Sequence, residues 1–195
     1  MYNKPSKRIL IIGGSGLIGS SLTKKCEEFN LNYKSTYFKN KIFPNQEKFD
    51  LNDISNVDNL VKDEDIVILC SALSNPNYVF MNKDDAYEFN VNKTINFIKK
   101  IKKRINRLIF LSSVEVFDGS KGNYSETDNK NPLNFYGLTK VEVENYIMEN
   151  VKNYTIIRTG WNTSMNINDR CVIKLTYETL LKDNAKMAMD NFFSI

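Results

Sequence analysis

At 195 residues, with 42% hydrophobic and 26% charged side chains, the chain has the composition of one globular domain with a real core, not of a disordered segment. Its 27 basic and 23 acidic residues are interspersed, for a formal charge of +4, and it contains no histidine. That absence excludes Ser-His-Asp and Cys-His hydrolase chemistry and argues against a Cys/His metal site, so acid–base work near neutral pH falls to tyrosine, lysine or carboxylates.

The first apolar run, in "MYNKPSKRILIIGGSG", is too brief for a signal peptide, and no stretch approaches the ~18 apolar residues that span a bilayer. Cys26, Cys70 and Cys171 are far apart and odd in number, which reads as free thiols in a reducing compartment. A cytoplasmic protein without a membrane partner is expected.

Short apolar runs then alternate with segments of helical period. "RILII" (8–12) reads as a strand and 16–29 as a helix, followed by strands at "YKSTYF" (33–38) and "DIVILC" (65–70). Residues 82–104 read as helical, with Val91, Ile95, Ile98 and Ile101, and Ile105 just beyond, at helical spacing. The basic run "KKIKKR" (99–104) falls on that pattern, so it reads as the solvated face of a helix and not as a nucleic-acid patch. "RLIFLSS" (107–113) is a buried strand, 135–150 a helix and "YTIIRT" (154–159) a strand. Continuous apolar strands alternating with helices predict an α/β fold, a Rossmann-type doubly wound parallel sheet with helices on both faces.

"LIIGGSGLIGS" places Gly13, Gly14, Gly16 and Gly19 directly after the first strand and at the opening of a helix. Such a turn lets a pyrophosphate approach the backbone and the free N–H groups of the helix start, which points to dinucleotide binding by Gly13, Ser15, Gly16, Leu17, Ile18 and Gly19. No acidic residue occurs between Asn30 and Gln46, whereas Lys34, Lys39 and Lys41 do. A 2′-phosphate would be welcome near Lys39, so NADP(H) is favoured over NAD(H). Asp50 and Leu51 stand where an Asp could receive the adenine amino group, or where it could simply cap the next helix. Ser71, Ala72 and Leu73, just after the third strand, complete the expected cofactor wall.

Tyr136 stands four residues before Lys140 in "NPLNFYGLTK", on one helix face. The spacing alone has little force, because Tyr37 and Lys41 share it in a strand end and its loop. What separates the pairs is Ser112-Ser113 at the end of a buried strand, at the sheet edge where open α/β sheets take ligands. A lysine cation would lower the phenol pKa, and a serine hydroxyl would polarise a carbonyl. The set suits hydride transfer coupled to proton transfer, with no metal.

These blocks, in this order, resemble the extended short-chain dehydrogenases/reductases. "SSVEVFDG…Y.E.D…PLNFYG.TK" with "IIRTGW" is similar to the dTDP-4-dehydrorhamnose reductases and equally to the regulatory β subunits of methionine adenosyltransferase. The resemblance implies Ser113, Tyr136 and Lys140 as catalytic, with Asn90 in a proton relay and Tyr136 and Lys140 also touching the cofactor. It implies NADPH-dependent reduction of a 4-keto group on a nucleotide-linked deoxysugar, in a protein able to form a homodimer. The alternatives are a cofactor-binding regulatory or scaffold subunit and an NAD-dependent nucleotide-sugar epimerase. Leu69 and Val114 depart from the family's Asn and Asp, and loss of the Asp argues against dehydration. Residues 1–160 would form the NAD(P)-binding domain and 161–195 the start of a substrate lobe that is largely absent.

Overall fold

The computed structural model describes residues 7–160 together with Asn162, Glu178 and Leu181. Strands β1 (Ile9–Ile12), β2 (Tyr33–Tyr37), β3 (Glu47–Lys48), β4 (Ile66–Leu69), β5 (Arg107–Ser113) and β6 (Tyr154–Thr159) form a sheet of order β3-β2-β1-β4-β5-β6. Each neighbouring pair is parallel. The chain leaves β1 toward β2 on one side and returns as β4 on the other, so the order reverses at β1. That crevice, at the carboxyl ends of the strands, is where open α/β sheets bind ligands.

Burial explains the arrangement. Leu10 and Ile12 of β1 join Val67, Leu69, Leu108 and Phe110 in one core cluster, packed against Phe97, Ile98 and Ile101 of α5 (Thr94–Ile101) and Val143 and Ile147 of α6 (Phe135–Asn150). Alternation along β1 turns Ile11 to the opposite face. On that face α1 (Leu17–Glu28) packs Thr23 against β2, its hydroxyl 2.8 Å from Ser35 Oγ. The basic run lies on the outer side of α5 and the turn after it, where Lys102 meets Tyr146 and Arg104 pairs with Asp58 and Asp63.

Three features differ from the sequence expectation. The helical stretch predicted over 82–104 runs from α4 (Lys83–Tyr87) through a π-helical turn at Glu88–Lys93 into α5, and ends at Ile101. A six-residue helix, α3 (Pro76–Met81), follows β4 unpredicted, with Asn75 accepting from the Tyr78 N–H and Pro76 in the first turn. The two-residue strand β3 is too short to carry a period; the other short helix, α2 (Val57–Leu60), buries Val57 and Leu60. Cys171 and nearly all of 161–195 lie outside the described residues, as does any second lobe there. Cys26 and Cys70 are free thiols. Among the described residues no helix is long and apolar enough to cross a membrane.

Candidate active site

The glycine loop joins β1 to α1 in three different ways. Gly13 sits at φ +83°, a conformation costly for any other residue, and its N–H donates to Thr36 Oγ1 of β2 at 3.0 Å. At Gly19 a Cβ would come within 2.2 Å of the Gly13 carbonyl, so the helix could not approach the strand. Gly16 is the exception. A Cβ there would meet nothing closer than the Gly13 carbonyl at 3.4 Å, ordinary contact, and the residue is exposed at the N-cap of α1 with extended backbone. The protein itself does not need glycine at 16, whereas a group lying against the uncapped helix start would.

A groove opens beside this loop, lined by Gly13, Ser15 and Gly16, by Thr36, Tyr37 and Phe38 at the end of β2, by Phe49 and Phe89, and by Cys70, Ser71, Ala72 and Leu73 beyond β4. Six of the residues expected to hold a dinucleotide are thus brought together: Gly13, Ser15, Gly16, Ser71, Ala72 and Leu73. Leu17, Ile18 and Gly19 stand behind them in the first turn of α1. Lys39 is exposed beside the groove residue Phe38, its ammonium 5.8 Å from that ring. Lys34, counted in the sequence as a cation for a 2′-phosphate, is instead committed to Glu47 at 3.0 Å. Asp50 does not cap the next helix, whose N-cap is Asn56; its Oδ1 accepts from both the backbone and side-chain N–H groups of Asn52, closing a turn. Leu51 is buried in the core. Tyr37 lines the groove and Lys41 lies in an exposed loop, so this second Tyr-x-x-x-Lys is not a helical pair.

Lys140 and Tyr136 share the inner side of α6. Lys140 is buried, its Nζ donating to the Leu111 carbonyl of β5 at 2.9 Å and standing 4.7 Å from the Phe110 ring and 5.5 Å from the Tyr136 ring. Burial pulls its pKa down to about 8, against the opposing pull of Cys70 and Glu144. The expectation that Lys140 would lower the Tyr136 pKa is overturned. Burial, helped by the Glu115 carboxylate, holds that phenol well above the usual tyrosine range. The phenol therefore carries its proton at neutral pH, as an unshifted tyrosine also would, and the raised pKa makes it a weaker acid.

Ser113, the last residue of β5, caps the 3₁₀ turn Val114–Val116, its Oγ accepting from the Glu115 N–H at 3.2 Å. Gly137 lets this turn and α6 touch, since a Cβ would lie 2.1 Å from the Glu115 carbonyl. Ser112 faces elsewhere: its Oγ donates to Glu144 at 2.5 Å, and Glu144, fully buried, is gripped by Arg158 through two bonds of 3.0 and 2.8 Å. Ser112 is thus held to a buried carboxylate, whereas Ser113 Oγ accepts from a backbone N–H. Asn90 ties two parts of the protein together. In the π-helical turn, its amide donates to the Leu73 carbonyl and, at 3.4 Å, to Thr139 of α6, and accepts from the Leu73 N–H. With the amide so engaged, Asn90 holds the groove wall to the helix of Tyr136.

Sequence reasoning missed Glu115, Gly137, Cys70 and the Ser112–Glu144–Arg158 network. One signal was present: the buried stripe of α6 reads Gly137, Lys140, Val143, Glu144, Ile147, and two charges on an inward stripe mark a network.

With this geometry in view, the protein-family model described as the RmlD substrate binding domain matches residues 7–189. The chain belongs to the RmlD family. That family is one of NAD(P)-dependent oxidoreductases related to dTDP-4-dehydrorhamnose reductase. The chain is 33% identical over 158 residues to methionine adenosyltransferase 2 subunit beta of Bos taurus, covering 80% of this chain and 47% of that one. It is 24% identical over 161 residues to dTDP-4-dehydrorhamnose reductase of Mycobacterium tuberculosis, covering 80% and 50%. It thus spans about half the length of the curated relatives it matches. The solved structure of a hypothetical dTDP-4-dehydrorhamnose reductase from Sulfolobus tokodaii superposes with a TM-score of 0.75 at 28% identity, over 88% of this chain and 61% of that one. A dTDP-4-dehydrorhamnose reductase from Bacillus anthracis, solved in complex with NADP, shares the fold at a TM-score of 0.73 and 24% identity, over 89% and 59% of the two chains.

Proposed function

We propose that this RmlD-family chain carries the cofactor and proton-transfer half of an NADPH-dependent reductase acting on the 4-keto group of a nucleotide-linked deoxysugar. The observation that carries the reading is Tyr136 beside buried Lys140 on α6, whose Gly137 abuts the Glu115 carbonyl in the turn that Ser113 caps. A nicotinamide dinucleotide would lie along the groove at Gly13, Ser15, Gly16 and Ser71–Leu73, and supplies hydride when bound. Ser113 would hold the carbonyl oxygen, Tyr136 would donate the proton, and Lys140 would bond the nicotinamide ribose and so position the ring. A preference for NADP(H) rests on Lys39 and on the acid-free end of β2, Lys34 being spent on Glu47.

The fit is tested at Gly16. Gly16→Ala is expected to lower the thermal midpoint by no more than about 4 °C, the cost of a less favoured N-cap residue. Its affinity for NADPH, read by fluorescence titration, is expected to fall about tenfold or more as the methyl enters the pyrophosphate's place. The function itself is tested by following NADPH oxidation with a dTDP-linked 4-keto-6-deoxysugar. Turnover with NADPH in preference to NADH supports the reading; tight NADPH binding without oxidation, over a panel of such sugars, overturns it.

A second reading draws on the 33% identity to subunit beta of methionine adenosyltransferase 2. In it the same groove binds a dinucleotide, but the chain serves as a non-catalytic subunit. Stable co-purification with a methionine adenosyltransferase catalytic chain, with no keto-sugar reduced, is the result that favours it.

A further inference from the structure

We infer that Glu115 is a positioning residue: its side chain and its own peptide groups set the gap between the Ser113 hydroxyl and the Tyr136 phenol. The kinetic part of this inference rests on the reductase reading above; the geometric part does not.

Three different groups of Glu115 act at once. Its N–H donates to Ser113 Oγ at 3.2 Å, fixing where that hydroxyl points. Its carbonyl abuts Gly137, the residue after Tyr136. Its carboxylate Oε2 accepts from Asn134 Nδ2 at 2.6 Å, and Asn134 Oδ1 accepts in turn from the Gly137 N–H at 2.7 Å. Only one orientation of the Asn134 amide satisfies both partners, since a carboxylate demands a donor and an N–H demands an acceptor. The carboxylate therefore locks the cap of α6 in the rotamer that holds its first turn. Asn134 alone could cap the helix. It could not tie that cap to the turn that carries Ser113.

The charged groups around Tyr136 agree with this placement. Glu115 faces it from the 3₁₀ turn and Lys140 from its own helix, while Lys83 of α4 lies over the neighbouring Phe135 ring. Glu115 is itself exposed, so it acts from the rim and no burial penalty attaches to its charge.

The test compares Glu115→Ala, Glu115→Gln, Asn134→Ala and the Glu115→Ala/Asn134→Ala double variant. The bond goes to a neutral amide, so Gln retains an acceptor for it. In Glu115→Ala, hydrogen exchange of the Gly137 amide is expected to rise about fivefold or more, with Glu115→Gln near wild type. In the keto-sugar assay kcat is expected to fall about tenfold in the Ala variant with KM for NADPH unchanged, and Gln is expected to recover most of the loss. The double variant should lose no more than the worse single one, because both break one link. Unchanged Gly137 exchange in Glu115→Ala overturns the inference, as do additive losses in the double variant or equal losses for Ala and Gln. Where wild type turns over no keto-sugar, the reductase reading fails and the Gly137 exchange still decides the role of Glu115.

Discussion

Tyr136→Phe is expected to lower turnover by about 10²–10⁴-fold, the range for loss of a positioned proton donor, while NADPH affinity stays within about twofold. The substitution removes one oxygen and leaves the ring that faces Lys140 Nζ at 5.5 Å. Among the described residues the Tyr136 hydroxyl makes no hydrogen bond, so the fold loses nothing with it and the thermal midpoint should hold. The loss should fall on kcat and kcat/KM alike, because the proton is delivered only as the carbonyl is reduced. Steady-state kinetics beside a cofactor titration checks both halves. Undiminished turnover would remove Tyr136 from the chemistry; a parallel loss of NADPH binding would make it a cofactor contact instead.

The second large effect concerns stability. Lys140 has a folded pKa of about 8 against an ordinary value of 10.5, with burial the leading cause. Between these values the unfolded chain binds more protons than the folded one, so this residue makes stability rise with pH across that window. Below about pH 8 the cost of the buried ammonium is fully present. Lys140→Met removes the titration and also the bond to the Leu111 carbonyl, a loss that does not vary with pH. The free-energy gap between wild type and Lys140→Met should therefore move by about 2 kcal/mol in favour of wild type from pH 7 to 9.5. Denaturant unfolding of both proteins at the two pH values reads it directly. A gap independent of pH would mean that Lys140 keeps an unshifted pKa. Turnover should be lost in the variant at either pH.

Much of this architecture was legible because the strands are apolar throughout and the glycine loop has a shape that few other functions need. Ile9–Ile12, Ile66–Leu69 and Arg107–Ser113 read as buried strands on composition alone, and β5 ended at Ser113 as expected. The helix α3 was missed although Asn75-Pro76 is an N-cap followed by proline, because six residues are too few to show a helical period. The electrostatics were the least legible. Charge spacing pointed to a Lys140 that acidifies Tyr136, but how deeply each group is buried depends on packing that no spacing encodes. Lys34 misled for a related reason: its partner Glu47 stands on a different strand, thirteen positions away in sequence and adjacent only once β2 and β3 pair.

The π-helical turn at Glu88–Lys93 bears on how this chain can be re-engineered. A π turn holds roughly one residue more than the α turns that flank it. Deleting one residue there would restore a regular helix at little local cost, yet it would turn everything on one side by about 100° relative to the other. Either Asn90 leaves the Leu73 loop or Phe97, Ile98 and Ile101 leave the core. A shortened or consensus-regularised scaffold must therefore keep this surplus residue, although nothing in the hydrophobic pattern of the helix reveals that it is there.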